Sequence, residues 1–345
     1  MISPCRMIIL ASGLLIALVS TLQAQTRPEA QQVVAKVSGV DLTLSDLKSE
    51  ESGKLLQAEY QYYLSERKAL EELIDNRLLS DEARKKGISV DQLMEKEVYK
   101  DVKDPTEDQL EVYYEGLDTQ ESYQAVRDDV LQHIRDLRRT KARKAYVEQL
   151  RKDAQINIAL MPPSAKVNTS TAYSNGKTHA PVELVEFADY QCPYCQKVNP
   201  EIQKLKKQYG DALTVTFKDF PLPMHHTAQK AAEASRCAGE QGKFWEYHDV
   251  LFYSKQLEVD ALKEHARVLK LDGDRFDTCL DNGLEADAVK RDLDEAKGLG
   301  LTGTPSFFIN GHFVSGVVDY DALKDLINQQ LNHAMTQASL LSRNQ

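Results

Sequence analysis

Val182-Glu183-Leu184-Val185-Glu186-Phe187-Ala188-Asp189-Tyr190-Gln191-Cys192-Pro193-Tyr194-Cys195 decides the reading of this chain, because it places two cysteines where an apolar run gives way to a helix start. The run from Val182 to Ala188 is nearly continuous in apolar residues and broken only by acids, as expected of a central strand covered on both faces. Pro193 suits a first helical position, where its fixed φ and missing N–H cost nothing, which makes Cys192 the N-cap. A sulfur there can accept hydrogen bonds from the free N–H groups of Tyr194 and Cys195 and lies at the positive end of the helix dipole. Both effects favour thiolate, the form that attacks disulfides. Cys195 lies three residues on, on the same helix face, so a small disulfide ring can open and close with little backbone movement. The competing uses of Cys-x-x-Cys are a zinc half-site and a local structural disulfide. The chain has no second Cys-x-x-Cys and no His-x3-His, which argues against zinc.

The full chain of 345 residues is 42% apolar, enough for two cored domains. A formal charge of −10 argues against nucleic acid as a partner, since phosphate binding wants a concentrated basic face. The basic runs RDLRR (135–139) and KARK (141–144) read as the solvated face of a helix. Residues 1–24 read as a secretory signal, with Arg6, an apolar run from Met7 to Leu22 and Ala24 before the expected cut. An uncleaved anchor is the alternative, but the run is shorter than the ~20 residues a spanning helix needs. Cleavage would remove Cys5, leave Cys192, Cys195, Cys237 and Cys279, and place the protein in a periplasmic or otherwise extracytoplasmic, oxidising compartment.

Residues 30–160 read as a mostly helical domain. A strand from Val33 ends at Gly39, and Thr43 with Asp46 forms a capping box. A helix runs to about Lys86 with Ala69, Leu70, Leu73, Ile74, Leu78 and Leu79 on one face, and Gly87 closes it. A second capping box, Thr106 with Gln109, follows Asp104-Pro105. A charged helix from Gln120 to about Asp153 carries a narrow apolar stripe (Tyr123, Val126, Val130, Ile134, Leu137, Ala145, Leu150), of the kind that bridges or dimerises. Pro162-Pro163 marks a linker over 161–172. Residues 173–334 alternate strands and helices as an α/β domain, with a second strand over Leu213–Phe220 and a kink at Pro200. Helices then fill His225 to about Ala296, and a hairpin turns at Asn310-Gly311. A last helix covers Tyr320–His333, and 335–345 is left as a tail.

Two resemblances emerge. The segments AKVSGVDLTLSDL (35–47), ALEELIDNRLLSDEARKKGISVDQL (69–93) and TEDQLEVYYEG (106–116) resemble the N-terminal module of SurA-type and parvulin-linked periplasmic proteins, without a parvulin domain following. That likeness implies binding of unfolded polypeptide or dimer formation; a plain helical spacer is the alternative. Cys192-Pro193-Tyr194-Cys195, the kinking Pro200 and Gly303-Thr304-Pro305-Ser306-Phe307-Phe308-Ile309-Asn310-Gly311 together look like a thioredoxin fold, and with the helical insertion the domain is similar to DsbA-like thiol:disulfide oxidoreductases. The resemblance implies a cis peptide bond before Pro305, facing the cysteines and lining a peptide groove, with Thr304 beside the sulfur. It further implies that Glu186 and Lys218 lie beneath the dithiol as a proton relay for Cys195; partial burial without a catalytic role is the alternative.

Cys237 and Cys279 in the insertion read as a structural disulfide, or else as a second redox relay. Closing a loop of that length contributes roughly 4 kcal/mol on the chain-entropy model. His225-His226 has no second pair nearby to suggest a metal, and Phe244, Trp245 and Tyr247 read as core. The expected function is disulfide formation, reduction or isomerisation in exported proteins through a Cys192–Cys195 disulfide. No dissociable cofactor or metal is expected. Partners would be unfolded or cysteine-containing exported proteins and a membrane redox partner, with a second copy in a homodimer as a further option. The direction of electron flow stays open. A periplasmic holdase, working through the helical module alone, is the rival from another class, and metal trafficking through the two thiolates is a third reading.

Overall fold

The structure, a computed structural model, describes residues 31–316 and 320–343; the expected signal peptide lies outside them. The chain divides into two compact units at Glu51/Ser52. In the first, β1 (Val33–Val37) and β2 (Val40–Thr43) pair antiparallel. The strand expected to end at Gly39 is thus one arm of a hairpin. Ser38 and Gly39 both take positive φ (51° and 87°), the conformation that a two-residue hairpin turn requires. Helix α1 (Leu44–Glu50) follows, and its capping box is formed: the Thr43 hydroxyl accepts from Asp46 N–H at 3.1 Å while the Asp46 carboxylate accepts from Thr43 N–H at 2.8 Å.

The second unit opens with α2 (Ser52–Lys85), 34 residues and so about 50 Å long. Gly87, at φ 67°, follows it in the left-handed conformation that ends helices. A short helix α3 (Val90–Leu93) passes into a π-helical turn over Met94–Val98. Helix α4 (Glu107–Glu115) starts where the Gln109 side chain accepts from Thr106 N–H at 3.1 Å. Helix α5 (Tyr123–Asp153) returns along α2, and Arg151 ties them through Glu71 (2.6 Å) and Asp75 (2.7 Å). Its apolar stripe finds partners within the chain: Val130 and Ile134 pack on Leu110, and Val147 packs on Leu79, Ala83, Leu93, Met94 and Val98.

The sheet that leads into the two cysteines has the order β3 (Tyr173–Asn175), β5 (Leu213–Asp219), β4 (Val182–Ala188), β6 (Ser306–Ile309), β7 (His312–Ser315). Strand β4 is central and parallel to β5, joined by a crossover through α6 (Pro193–Tyr209), which contains Pro200; β6 runs antiparallel to β4. Helices α7 (Ala228–Gly239), α8 (Phe244–Ser254), α9 (Val259–Val268), α10 (Gly273–Asp281) and α11 (Ala286–Gly298) form the insertion between β5 and β6. The last helix, α12 (Tyr320–Arg343), runs past His333 and takes in most of the stretch expected as a tail.

Because side chains alternate along a strand, the sheet has two different cores. One face buries Val182, Leu184, Leu213, Val215, Phe307 and Ile309 under Val198, Ile202 and Leu205 of α6 and Leu323 and Ile327 of α12. The other buries Val185, Phe187, Phe308 and Phe313 against Ala296 and Leu299, and also against Leu56 and Tyr60 of α2. The helical region therefore contributes to the core of the sheet rather than ending before it. The segment expected as a linker is likewise bound to the sheet edge: Phe313 N–H donates to Pro163 O at 2.8 Å, and Ala165 N–H donates to Gly311 O at 2.9 Å. An edge strand has unpaired backbone groups, and this segment satisfies part of them on β7.

Candidate active site

Cys192 is the N-cap of α6, with extended backbone (φ −70°, ψ 121°), and Pro193 occupies the first turn, as the sequence implies. Asp189 O accepts Cys192 N–H at 3.1 Å, which closes the loop leading out of β4. Both thiols are reduced and buried, while Tyr194 between them is 57% exposed and marks the solvent side of the motif. The Thr304–Pro305 bond is cis. That turn brings the Thr304 carbonyl to the Cys192 thiol, which donates to it at 3.6 Å. The Thr304 hydroxyl is buried without another hydrogen-bond partner, and its proximity favours the Cys192 thiolate.

The two sulfurs are electrostatically unlike. Hydrogen bonding from Cys195, then from the Thr304 side chain and the Tyr194 and Cys195 N–H groups, outweighs burial and brings Cys192 down to about 5. Burial first, then the hydrogen bond that Cys195 gives Cys192, and then the charges of Glu186 and Cys192, push Cys195 far up. Hydrogen bonds at the helix terminus stabilise the outer thiolate, and the deeper burial of the inner sulfur holds it protonated. Glu186 is buried with one carboxylate oxygen unpartnered, and loss of hydration alone raises its carboxyl to about 8. It is close enough to Cys195 for its charge to oppose ionisation there.

Lys218 is not beneath the dithiol. In the parallel register Glu186 stands beside Phe217, and Lys218 beside Phe187, so the two charged side chains leave the sheet on opposite faces. Lys218 donates to Asn168 O at 2.9 Å and pairs with Asp292 (2.5 Å) and Glu295 (2.8 Å) of α11. Asp292 also binds Arg236, which holds Asp219. Cys237 and Cys279 form a disulfide with Cα atoms 5.9 Å apart, joining α7 to α10.

Residues 168–329 match the family described as Thioredoxin. These residues form a thioredoxin-fold domain with a helical insertion between β5 and β6. The chain is 38% identical over 168 residues, 48% of its length, to Na(+)/H(+) antiporter NhaA 3 of Salinispora tropica, and the match spans only 25% of that protein. Among solved structures it is similar to oxidised BdbD from Bacillus subtilis (26% identity, 50% of this chain and 99% of that one, TM-score 0.46). It is also similar to the catalytic domain of Proteus mirabilis ScsC (27% identity, 48% and 92%, TM-score 0.42). The helical region upstream of residue 168 lies outside the family match.

The thioredoxin domain also uses residues that the motif reading passed over. The buried carboxylate of Asp189 accepts from Gln191 N–H (2.7 Å) and Leu222 N–H (2.8 Å) and pairs with His225 (2.7 Å). Gln191 accepts from the Thr227 hydroxyl at 2.9 Å, so the loop after β5 is fastened to the loop carrying the cysteines. His225 thereby has a partner that pattern alone did not give it. An acid between an apolar strand and the cysteines was the available signal. Tyr190 and His248 are buried with Phe217 and Phe252 in an aromatic wall next to the dithiol, where burial holds the imidazole of His248 neutral. Among the described residues no group of three or more His, Cys, Asp or Glu is arranged to hold a metal ion, and no helix is long and apolar enough to cross a membrane.

Proposed function

We propose that this protein is an extracytoplasmic thiol:disulfide oxidoreductase that acts on cysteine-containing exported proteins through Cys192 and Cys195. The observation that carries the reading is the opposed tuning of the two sulfurs, one lowered to about 5 and the other raised, at a helix start facing cis-Pro305. Thiolate stabilisation favours the reduced form of the pair and makes its disulfide the better electron acceptor. The expected net direction is therefore oxidation of the substrate. A substrate thiolate attacks Cys192 of the disulfide, forming a mixed disulfide and releasing Cys195 as thiolate, which takes a proton from the Glu186 carboxyl through water. A second substrate thiolate then attacks its partner sulfur and expels the Cys192 thiolate. Two electrons pass to the Cys192/Cys195 pair, and a membrane redox partner carrying a disulfide must remove them. The exported setting is supported by the Cys237–Cys279 bond, which persists in oxidising compartments.

Equilibration of the Cys192/Cys195 pair in glutathione buffers tests this, with Cys237 and Cys279 mapped separately by mass. A potential near that of a strong oxidant is expected, and C192S should lower exchange about 1,000-fold or more, since the attacked sulfur is gone. A pair that does not titrate in any accessible buffer would sink the enzymatic reading.

One feature supports a second reading, binding of unfolded polypeptide or of a second copy. Val33, Val34, Val37, Val40, Leu42 and Leu47 of the first unit are exposed. Under it, a C192S/C195S variant would suppress aggregation of a denatured client as well as the parent does. Loss of that suppression on removing residues 31–51 would locate the activity, and its absence from the intact protein would end this reading.

A further inference from the structure

Helix α2 touches the thioredoxin domain at both ends of the loop that presents Thr304 and Pro305. At the upstream end, Gly300 closes α11 in a left-handed conformation (φ 68°): Gly300 N–H donates to Lys297 O and Leu301 N–H to Ala296 O, each at 2.9 Å. The first turn of α2 lies directly on this helix end. A Cβ at Gly53 would fall 1.9 Å from the Gly298 carbonyl oxygen, and one at Gly300 would fall 1.9 Å from the Gly53 carbonyl oxygen. Only glycine permits such an approach of backbone to backbone. One turn further along α2, Leu56 packs with Leu299 and Leu301, the two residues flanking Gly300.

At the downstream end, the Pro305 carbonyl is held by Gly316 N–H at 3.1 Å. The residue before it, Ser315, donates its N–H to the Tyr60 hydroxyl at 3.2 Å, and the Tyr60 ring meets Phe313 edge-on at 5.0 Å. Between these anchors the loop has the Ser306 hydroxyl on Gly303 O at 2.8 Å. Its reach toward Cys192, the 3.6 Å contact at Thr304 O, therefore depends on where Gly300 and Ser315 are held.

We infer that α2 is a positioning element of the active site: Gly53 and Tyr60 set the distance between the Thr304–Pro305 turn and Cys192. The helical region thus acts on the dithiol through the fold, independently of any binding of polypeptide. The inference rests on the oxidoreductase reading for its consequence, but its geometry can be tested apart from it.

The experiment uses the full chain and compares Gly53→Ala, Tyr60→Phe and, as a control on the distant α4–α5 contact, Leu110→Ala. Two quantities are read: the equilibrium constant of the Cys192/Cys195 pair with glutathione, and the pH midpoint for alkylation of Cys192. A weakened hydrogen bond to the Cys192 sulfur changes the stability of its thiolate by a few-fold, so the equilibrium constant should change about 3- to 10-fold in Gly53→Ala and less in Tyr60→Phe. Leu110→Ala should lower thermal stability and leave both quantities at the parent values. Should Gly53→Ala not fold, Tyr60→Phe decides, because it keeps the ring and removes only the acceptor for Ser315. Parent-like values of both quantities in the folded variants would overturn the inference. Failure of the parent to exchange with glutathione would instead overturn the oxidoreductase reading, while the alkylation midpoint still judges the role of α2.

Discussion

Glu186 and Lys218 sit on neighbouring central strands, both almost wholly buried, yet the protein treats them in opposite ways. Lys218 is neutralised by Asp292 and Glu295 and by the Asn168 carbonyl, within a network that continues through Arg236 to Asp219. Among the described residues Glu186 has no charge partner, and its carboxyl moves to about 8 instead. A buried charge must be paired or discharged, and the two faces of this sheet show one outcome each. The paired face fastens the helical insertion to the strands. The unpaired face leaves a carboxyl beside Cys195 that can hold or release a proton near neutral pH. Burial of charge is therefore structural on one side of β4 and, under the mechanism proposed above, chemical on the other.

The largest effect that would break this contrast is on stability. Lys218→Met leaves Asp292 and Glu295 facing an apolar chain and should cost about 3–5 kcal/mol in chemical denaturation, while the pH dependence of thiol exchange stays that of the parent. If exchange instead changed its pH profile with stability intact, Lys218 would belong to the chemistry after all.

Next in size is the effect of Glu186 on stability against pH. Its folded value of about 8 lies above the ordinary 4.5, so the folded state keeps a proton that the unfolded state has lost. Stability should fall as pH rises from about 5 to 8 and level off beyond, by on the order of 3 kcal/mol. Glu186→Gln should abolish that fall. The measurement belongs on the oxidised protein, where neither sulfur titrates. In the reduced protein Cys192, lowered to about 5, adds stability as pH rises above 5 and opposes the trend. A parent and variant with the same pH slope would show that Glu186 is not the buried titrating group.

The smallest expected effect is at Thr304. Thr304→Val keeps the shape and removes the hydroxyl, so the thiolate fraction of Cys192 at pH 5 should drop by a factor of about three, read by alkylation or thiolate absorbance. No change would assign the lowering wholly to the helix start and Cys195.

Much of the thioredoxin domain was legible before the structure. Strand β4, the proline-started helix with Cys192 at its cap, the hairpin at Asn310-Gly311 and the cis bond before Pro305 all followed from local pattern or family resemblance. The Cys237–Cys279 bridge appears as expected. Partners distant in sequence were harder to read. Lys218 meets Asp292 across 74 positions of chain, and nothing near TVTFKDF announces an acid on a helix so far away. The side-chain period of two contained the information that Glu186 and Lys218 face apart once the β4–β5 register is known, but register is itself a tertiary fact. For the helical region, Leu56 and Tyr60 were not distinguishable from other helix-face residues, although they fill the core of a sheet that begins over a hundred residues later.

The sequence by itself determined the placement of Cys192 and Cys195 and the local geometry that favours the Cys192 thiolate, because capping, dipole and proline effects act within a few residues of one another. Only the tertiary structure decided which buried charge is paired and which is left alone, and that α2 is part of the core of the thioredoxin-fold sheet. Those outcomes depend on register and on packing between distant segments, where burial sets the cost of a charge and close approach selects glycine.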